Sequence, residues 1–196
     1  MVVGDFIING VGECIPAKVD PRYRLQTNGT TISAIESATV NERAFGIISG
    51  DITLTTDTES AILYIQNSES SHLVAERVII GFSESTGGTG LVKSGIYVDP
   101  TGGTIITEKN PAIVVNFDSD SSVTLDSNSY IGGEGKTFVG TALVNTLYKA
   151  APNYDDVFPK FILTTGAASG FSITPPAGNT SMTVNINIYV YLRDYV

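Results

Sequence analysis

The side chains that most often carry covalent chemistry are scarce in this sequence. His72 is the only histidine and Cys14 the only cysteine among the 196 residues. A Ser-His-Asp triad would have to use His72, and no Gly-x-Ser-x-Gly motif presents a nucleophile. Cys14 has no second thiol and no paired Cys/His spacing for zinc. We therefore interpret His72 as an exposed residue at a strand edge and Cys14 as an inert thiol, and we predict that the chain is not an enzyme.

The best candidates for a metal site are the carboxylates of one loop, Asp118, Asp120 and Asp126. Alternating carboxylates present hard oxygen ligands of the kind that Ca²⁺ takes. The loop lacks the central Gly and the closing Glu of an EF-hand. We expect a solvated turn here and keep calcium as the alternative. No other cofactor is predicted.

The composition argues against a nucleic-acid or membrane partner. Charged residues make up 16% of the chain, below the roughly 25% of an ordinary soluble domain, and the formal net charge is −9. Such a chain is unsuited to a phosphate backbone or to an anionic membrane. The first residues lack a signal peptide, and no apolar run approaches the ~18 residues that span a bilayer. We expect synthesis in a reducing cytoplasm, with no nucleic-acid or membrane partner.

From Gly46 onward, short β-branched segments alternate with turn residues. In residues 182–192, apolar side chains occupy every second position, which predicts a half-buried strand in the middle of a sheet or at a subunit boundary. No helical period separates the segments, so we predict an all-β jelly roll or related Greek-key β-sandwich over residues 46–196. The predicted strands lie within residues 47–55, 61–66, 73–82, 95–98, 104–107, 112–117, 136–149, 158–165, 170–174 and 182–192.

Residues 1–45 have a different texture, with frequent turn and breaker residues such as Asp20-Pro21. Ser33 and Glu36 fit a helical capping box, but Thr39, Val40 and Asn41 are poor helix formers. We interpret residues 1–45 as an extended N-terminal arm.

Tyrosines cluster at the end of the chain. Tyr189 and Tyr191 face away from the aliphatic row of residues 182–192, and Tyr195 follows. Exposed tyrosines on one face are typical of a contact surface, and a second core face would show the same pattern. Both interpretations stay open, and we take Tyr189, Tyr191 and Tyr195 as candidate subunit-interface residues.

The order of these segments resembles a known class of proteins. The sequence Glu-Arg-Ala-Phe-Gly-Ile-Ile-Ser-Gly-Asp-Ile-Thr-Leu-Thr at 42–55 precedes Ser-Ala-Ile-Leu-Tyr-Ile-Gln-Asn at 60–67, and two Gly-rich turns follow at 85–90 and 99–104. The composition and order of these segments are similar to those of virion structural proteins of tailed bacteriophages, in particular the head decoration (cement) proteins. The resemblance covers about residues 40–130 and includes no active-site signature.

The resemblance implies a role and partners. Such proteins are β-sandwiches that sit on the capsid as homotrimers, or in the neck or tail, and they contact the major capsid protein or other virion proteins. An N-terminal arm commonly reaches neighbouring subunits. Carried over to this chain, the arm contacts would be Lys18, Arg22, Tyr23 and Arg24.

A second interpretation is a carbohydrate- or receptor-binding β-sandwich module of a phage tail or fibre. It would use Tyr, Asn and Asp side chains on loops, with calcium at Asp118 and Asp120. The absence of Trp counts against it, because sugar-binding platforms favour large aromatic rings. A glycan array with and without chelator separates the two interpretations.

Overall fold

A computed structural model describes residues 6–8, 14–16, 33–149, 153–156 and 161–194. The chain divides into two compact units, Met1–Ser33 and Ala34–Val196. In the first unit, β1 (Phe6–Ile8) pairs antiparallel with β2 (Cys14–Pro16), and Ile7 lies opposite Ile15.

The second unit is built almost entirely of strands that begin and end at turn residues. Two short helices accompany them, α1 (Ala34–Val40) and α2 (Thr104–Glu108). The strands are β3 (Ala44–Ile48), β4 (Ile52–Leu54), β5 (Ser60–Asn67), β6 (His72–Phe82), β7 (Leu91–Val98), β8 (Ile113–Asn116), β9 (Ser127–Ile131), β10 (Ala142–Lys149), β11 (Asn153–Asp156), β12 (Phe161–Leu163), β13 (Ala168–Thr174) and β14 (Met182–Arg193).

These strands form two antiparallel sheets. One sheet has the order β10-β7-β13-β5-β9, and the other has the order β11-β6-β14-β3-β8, with β12 also on β6 and β4 also on β14. In chain order, the eight main strands are β3, β5, β6, β7, β10, the pair β11 and β12, β13 and β14. Numbered one to eight in that order, they form sheets with the orders 2-7-4-5 and 1-8-3-6. This alternation of strands between two sheets is a jelly roll. The predicted all-β sandwich is therefore confirmed.

The core lies between the two sheets, and β14 is central to it. Met182, Val184, Ile186, Ile188 and Val190 are each at most 1% exposed. β14 pairs with β6 on one side and with β3 and β4 on the other, so its backbone is paired along both edges. The prediction of a half-buried strand in the middle of a sheet is confirmed by this placement.

Several sequence interpretations differ from the structure. Residues 136–141, predicted as part of a strand, lie in the connection between β9 and β10, and β9 and β11 were not predicted. Residues 104–107, predicted as a strand, form α2, because Ile105 turns inward and is buried with Ala61 and Tyr64. Residues 34–45, assigned to the extended arm, form α1 and the start of β3, where Ala44 and Phe45 are fully buried. The packing of Ala38 and Ile35 of α1 against Ala44 outweighs the poor helix propensity of Thr39 and Val40. Whether residues 1–45 act as an arm is a question of function and stays a prediction.

The chain itself covers part of the outer face of the sheet containing β13, while Leu91 and Lys93 of β7 on the same face are exposed. The backbone nitrogen of Ala61 donates to the carbonyl of Lys136, and Val139 pairs with Gly102. The Phe138 ring lies against Gly170 and beside Tyr97, at 4.9 Å between ring centroids. Residues 99–111 and 132–139 thus form a lid on this face.

Candidate functional site

His72, which we interpreted as an exposed residue at a strand edge, lies at the start of β6 opposite Arg193 of β14 and is half-buried. Its neighbour Ser71 donates its hydroxyl to Asp194 at 2.7 Å. In a catalytic triad the serine hydroxyl donates to the histidine instead. The serine beside His72 therefore takes part in an ion-pair cluster.

The ion-pair cluster lies at the C-terminal end of β14. Arg43 makes a bidentate pair with Asp194, with both nitrogen–oxygen distances 2.7 Å, and also donates to Ser71 at 3.1 Å. The hydrogen bonds from Arg43 and then from Ser71 hold the pKa of the Asp194 carboxyl well below its usual range. The hydrogen bond to Asp194 raises the pKa of Arg43. The cluster fastens β14 to the segment that precedes β3.

Of the candidate calcium ligands, Asp118 accepts a hydrogen bond within its own loop, and Asp126 is bonded through its backbone to another segment. Asp118 accepts from the backbone nitrogen of Asp120 at 3.1 Å, and the nitrogen of Asp126 donates to Glu69 at 2.7 Å. Within the described ranges, no group of three or more His, Cys, Asp or Glu side chains is placed to hold a metal ion. The calcium interpretation gains no geometric support there.

A polar pocket lies at the edge of the lid over the β13 sheet. Glu59 accepts from the Tyr97 hydroxyl at 2.9 Å and from the Ser172 hydroxyl at 2.6 Å. Burial, followed by the hydrogen bond to Glu59, raises the pKa of Tyr97 to about 12. The cavity beside these groups measures about 90 Å³, well below the roughly 300–1,000 Å³ of small-molecule sites. It can hold water but is too small for a sugar ring.

Asn179, part of a glycosylation-like triplet Asn-Thr-Ser, is a structural residue. It is 5% exposed, and its amide donates to the carbonyls of Leu54 and Thr56 and accepts from the Ser85 hydroxyl. This one side chain joins three loops at one end of the sandwich. A glycan on this nitrogen would replace one of the two N–H groups that make the bonds to Leu54 and Thr56.

The outer face of the β14 sheet is covered at only one end. Side chains that point away from the core line up in three rows across β8, β3, β14 and β6. The first row is Ile113, Ile48, Asn187 and Ile79; the second is Val115, Gly46, Tyr189 and Arg77; the third is Phe117, Ala44, Tyr191 and Val74.

The third row is buried beneath α1. Ala38 and Ile35 of the helix pack against Ala44, Val74 and Tyr191, which is 8% exposed. Phe117 lies over Gly46, where an added Cβ would meet the ring at 3.2 Å, and its ring centroid is 5.3 Å from that of Tyr189. Phe117 therefore bridges the covered row and the second row.

The first two rows, which we call the open face, are not covered by α1, and Phe117 lies over Gly46 of the second row. Ile113 is 52% exposed and Val115 is 44% exposed, while Ile48, Ile79, Asn187 and Tyr189 are half-buried. Arg77, at one end of the second row, is the one charged side chain in these rows. The open face is therefore a flat surface of aliphatic, amide and tyrosine groups.

The candidate interface tyrosines do not share one environment. Tyr189 lies on the open face, Tyr191 lies under α1, and Tyr195 is outside the described residues. Both sequence interpretations thus apply, one to each described tyrosine, and the role of the tyrosines in a subunit interface stays a prediction. The arm candidates Lys18, Arg22, Tyr23 and Arg24 also lie outside the described residues.

Sequence reasoning missed Ile48, Ile79 and Ile113 as members of this surface. Each is one apolar residue in a different strand, and only the register of β3, β8 and β6 against one another brings them into a row. The alternation of β14 was the single local signal for the face.

No family model matches the sequence, and no curated protein matches it. Among solved structures, the chain is similar to one from the cryo-EM structure of Mud Crab Dicistrovirus, with 12% identity and a TM-score of 0.25 over 96% of this chain and 87% of that one. It is also similar to one from the structure of T=1 particles derived from Infectious Bursal Virus, with 12% identity and a TM-score of 0.19 over 97% and 45% of the two chains. Overlaps this poor carry no argument about function.

The described helices include none that is long and apolar enough to span a bilayer.

Proposed function

We propose that this protein is a structural component of a virus particle and that it functions by binding other protein subunits of that particle. The observation that carries the proposal is the open face. Two rows of the β14 sheet contain three isoleucines and a valine; Ile113 and Val115 are exposed, and α1 does not cover these rows. An exposed patch of this kind, with a polar border, is typical of a protein–protein contact.

The finer proposal is a decoration or cement protein of a tailed bacteriophage, on the capsid surface or in the neck or tail. The resemblance of residues 40–130 supports it, and so does the low content of charged residues, because short neutral polar groups cost little to desolvate in a contact. In this role the protein contacts copies of itself and the major capsid protein, and it stabilises the shell by adding contacts that span neighbouring subunits.

The distribution of charge supports a role for the N-terminal segment in the second of these contacts. Residues 1–33 contain three basic and three acidic residues, so the net charge of −9 belongs entirely to residues 34–196. Lys18, Arg22 and Arg24 lie within seven positions that contain a single acidic residue, Asp20. A short basic stretch on an acidic protein suits an acidic neighbouring surface.

The test reverses this charge in the full-length chain. We expect Arg22→Glu with Arg24→Glu to weaken co-sedimentation with emptied particles of the virus that encodes the chain by at least ten-fold. Lys93→Glu with Lys109→Glu makes the same change of charge on the jelly roll and is expected to leave binding unchanged.

Three results bear on different parts of the proposal. If the wild-type chain does not bind such particles, the virion role is wrong. Equal binding by wild type and both double variants contradicts the arm contacts but not the virion role. Loss of binding in both double variants alike points to net charge and also contradicts a specific arm.

A further inference from the structure

We infer that the free edge of β8 pairs antiparallel with the same edge of a second copy of this chain, about a two-fold axis at Val115. The inference rests on the proposed function, because it names the contact between neighbouring copies. β8 is the last strand of its sheet, and the described residues place no strand beyond it. An unpaired edge of this kind presents a row of backbone donors and acceptors to another strand.

The register of β8 shows which of its backbone groups are free. The backbone nitrogen of Phe117 donates to the carbonyl of Ala44 at 3.0 Å. Because hydrogen-bonded pairs alternate along antiparallel strands, the N–H and C=O groups of Val114 and Asn116 point away from β3. Among the described residues, no hydrogen bond reaches these four groups. The edge therefore presents two donors and two acceptors.

Two other sheet edges are protected, whereas that of β8 is not. The segment before β8 bonds to the edge of β9, because the nitrogen of Ala112 donates to Ser129 at 2.8 Å and the nitrogen of Ile131 donates to Asn110 at 2.7 Å. β11, at the opposite edge of the β14 sheet, contains two consecutive aspartates. Charged side chains on an edge strand discourage pairing with another chain.

β8 exposes apolar side chains on both sides of the sheet. Ile113 and Val115 lie on the open face and are 52% and 44% exposed, and Val114 points to the opposite side and is 38% exposed. There it lines an open cavity of about 390 Å³ together with Val123, which is 42% exposed. Residues 110–117 contain no charged side chain, so two chains that each carry a net charge of −9 can meet here without like charges in contact.

The free backbone groups determine the register of the pair. With Val114 opposite Asn116 of the second copy, each free donor meets a free acceptor, and the pair gains four hydrogen bonds. A shift in one direction would place Asn116 opposite Ala112, whose N–H already donates to β9. A shift in the other direction would place Val114 opposite Asp118, whose N–H donates to the Asn116 side chain. The remaining register places Val115 on the axis, opposite itself.

The side chains of β8 match those of an identical strand. In this register Ile113 lies opposite Phe117 of the second copy, and a pair of an aromatic and a β-branched residue stabilises a sheet. The strand begins with Ile113, and Phe117 follows its end, so the antiparallel orientation forms this pair twice, one on each side of Val115. This self-complementarity favours a second copy over an unrelated strand, and it joins the open faces of the two copies.

The contact is small, and we expect it to be weak in solution. Two strands of this length bury less than the roughly 1,200 Å² of a stable interface. On a particle, neighbouring copies are held at effective concentrations on the order of 1 mM, at which a weak contact is occupied. The pair therefore forms mainly between copies that the particle holds side by side.

Disulfide trapping tests the register in the full chain, with Cys14→Ser removing the native thiol. The two Val115 Cα atoms would lie about 4.5 Å apart, within reach of a disulfide, and the two Ile113 Cα atoms about 14 Å apart, beyond its reach. Under mild oxidation at about 1 mM protein, we expect Val115→Cys to form at least ten times as much linked dimer as Ile113→Cys. Random collision would favour Ile113→Cys, because Ile113 is the more exposed.

Val114→Pro, added to Val115→Cys, tests the backbone hydrogen bonds. Proline removes the N–H that faces the second copy and leaves the bonds between β8 and β3 in place. We expect the yield of linked dimer to fall at least five-fold. If this variant does not fold, the comparison of the two cysteine variants decides alone.

The outcomes separate this inference from the proposed function. A yield for Ile113→Cys equal to or above that for Val115→Cys, or no linked dimer in either, overturns the pair. An unchanged yield in folded Val114→Pro overturns strand pairing as its cause. None of these results affects the virion role, which fails only if the wild-type chain does not bind emptied particles.

Discussion

At the scale of single residues, the described polar side chains with the clearest roles are structural, since they join segments far apart in the sequence. Arg43 and Asp194 are 151 positions apart and form a bidentate pair. Asn179 reaches Leu54, which is 125 positions away. A hydrogen-bond donor or acceptor held at such a junction would lose its partner if one loop moved, and buried groups without partners are costly.

The Asp194 carboxyl gives a testable dependence on pH. Its pKa is lower in the folded protein than in the unfolded chain, where it is about 4. The ionised carboxylate therefore stabilises the fold at pH values above the pKa of the unfolded chain. This stabilisation is lost as the pH falls through the lowered pKa of the folded protein. We expect Asp194→Asn to have a lower free energy of unfolding than wild type at pH 7, with the two values converging in strong acid.

Urea unfolding between pH 7 and pH 2 measures this difference. Asp120→Asn removes a charge from an exposed loop and is expected to follow the wild-type curve across the range. A constant gap between Asp194→Asn and wild type down to the lowest pH would contradict the role of the ion pair.

At the scale of elements, different segments cover the outer faces of the two sheets. The lid over the β13 sheet depends on a strand glycine, because a Cβ at Gly170 would come within 2.5 Å of the Phe138 ring. The aromatic ring takes the place that a side chain on β13 would fill. By contrast, α1 covers one row of the β14 sheet and leaves the other two exposed.

Replacing that glycine tests the lid. We expect Gly170→Ala to lower the free energy of unfolding by about 1–3 kcal/mol through overpacking. Adding Phe138→Leu is expected to restore part of the loss, since the smaller side chain makes room for the methyl group. Gly102→Ala, where the nearest atom is at an ordinary 3.7 Å, is the control, and it is expected to change stability by less than about 0.5 kcal/mol. Equal effects at both glycines would show that the Phe138 contact is not the cause.

At the scale of the whole molecule, charge has opposite effects on the two proposed contacts. It opposes association of the chain with itself and favours binding of its basic segment to the particle. Residues 34–196 repel their own copies through a net charge of −9, whereas the basic segment at 18–24 attracts an acidic surface. Salt screens both effects.

Raising the salt concentration is therefore expected to change the two contacts in opposite directions. Between ~20 mM and ~500 mM NaCl the Debye length falls from about 20 Å to about 4 Å. Association of the chain with itself is expected to tighten, and binding to emptied particles is expected to weaken. Sedimentation equilibrium and particle co-sedimentation at the same salt concentrations measure the two responses. Self-association that weakens with salt would indicate a contact made by ion pairs instead of the neutral open face.

The sequence by itself determined the fold class and most of the strands. Alternation in residues 182–192 marks one face as buried because side chains of a strand point to opposite sides in turn, and this information is local. The same local argument failed at Thr104–Glu108, where five residues carry too little periodicity to separate a strand from a helix. It also missed β9, Ser127–Ile131, whose serines and asparagine resemble a loop.

Only the tertiary structure decided which strands are neighbours and what covers each face. Tyr189 and Tyr191 are equivalent in the sequence pattern, yet α1 covers one and leaves the other on the open face. The difference depends on pairings between segments far apart in the chain, and the two-residue period of a strand contains no information about its partner or register. For that reason the sequence left the tyrosine face of β14 open between a contact surface and a second core face, and only the fold assembled the rows of isoleucines beside Tyr189.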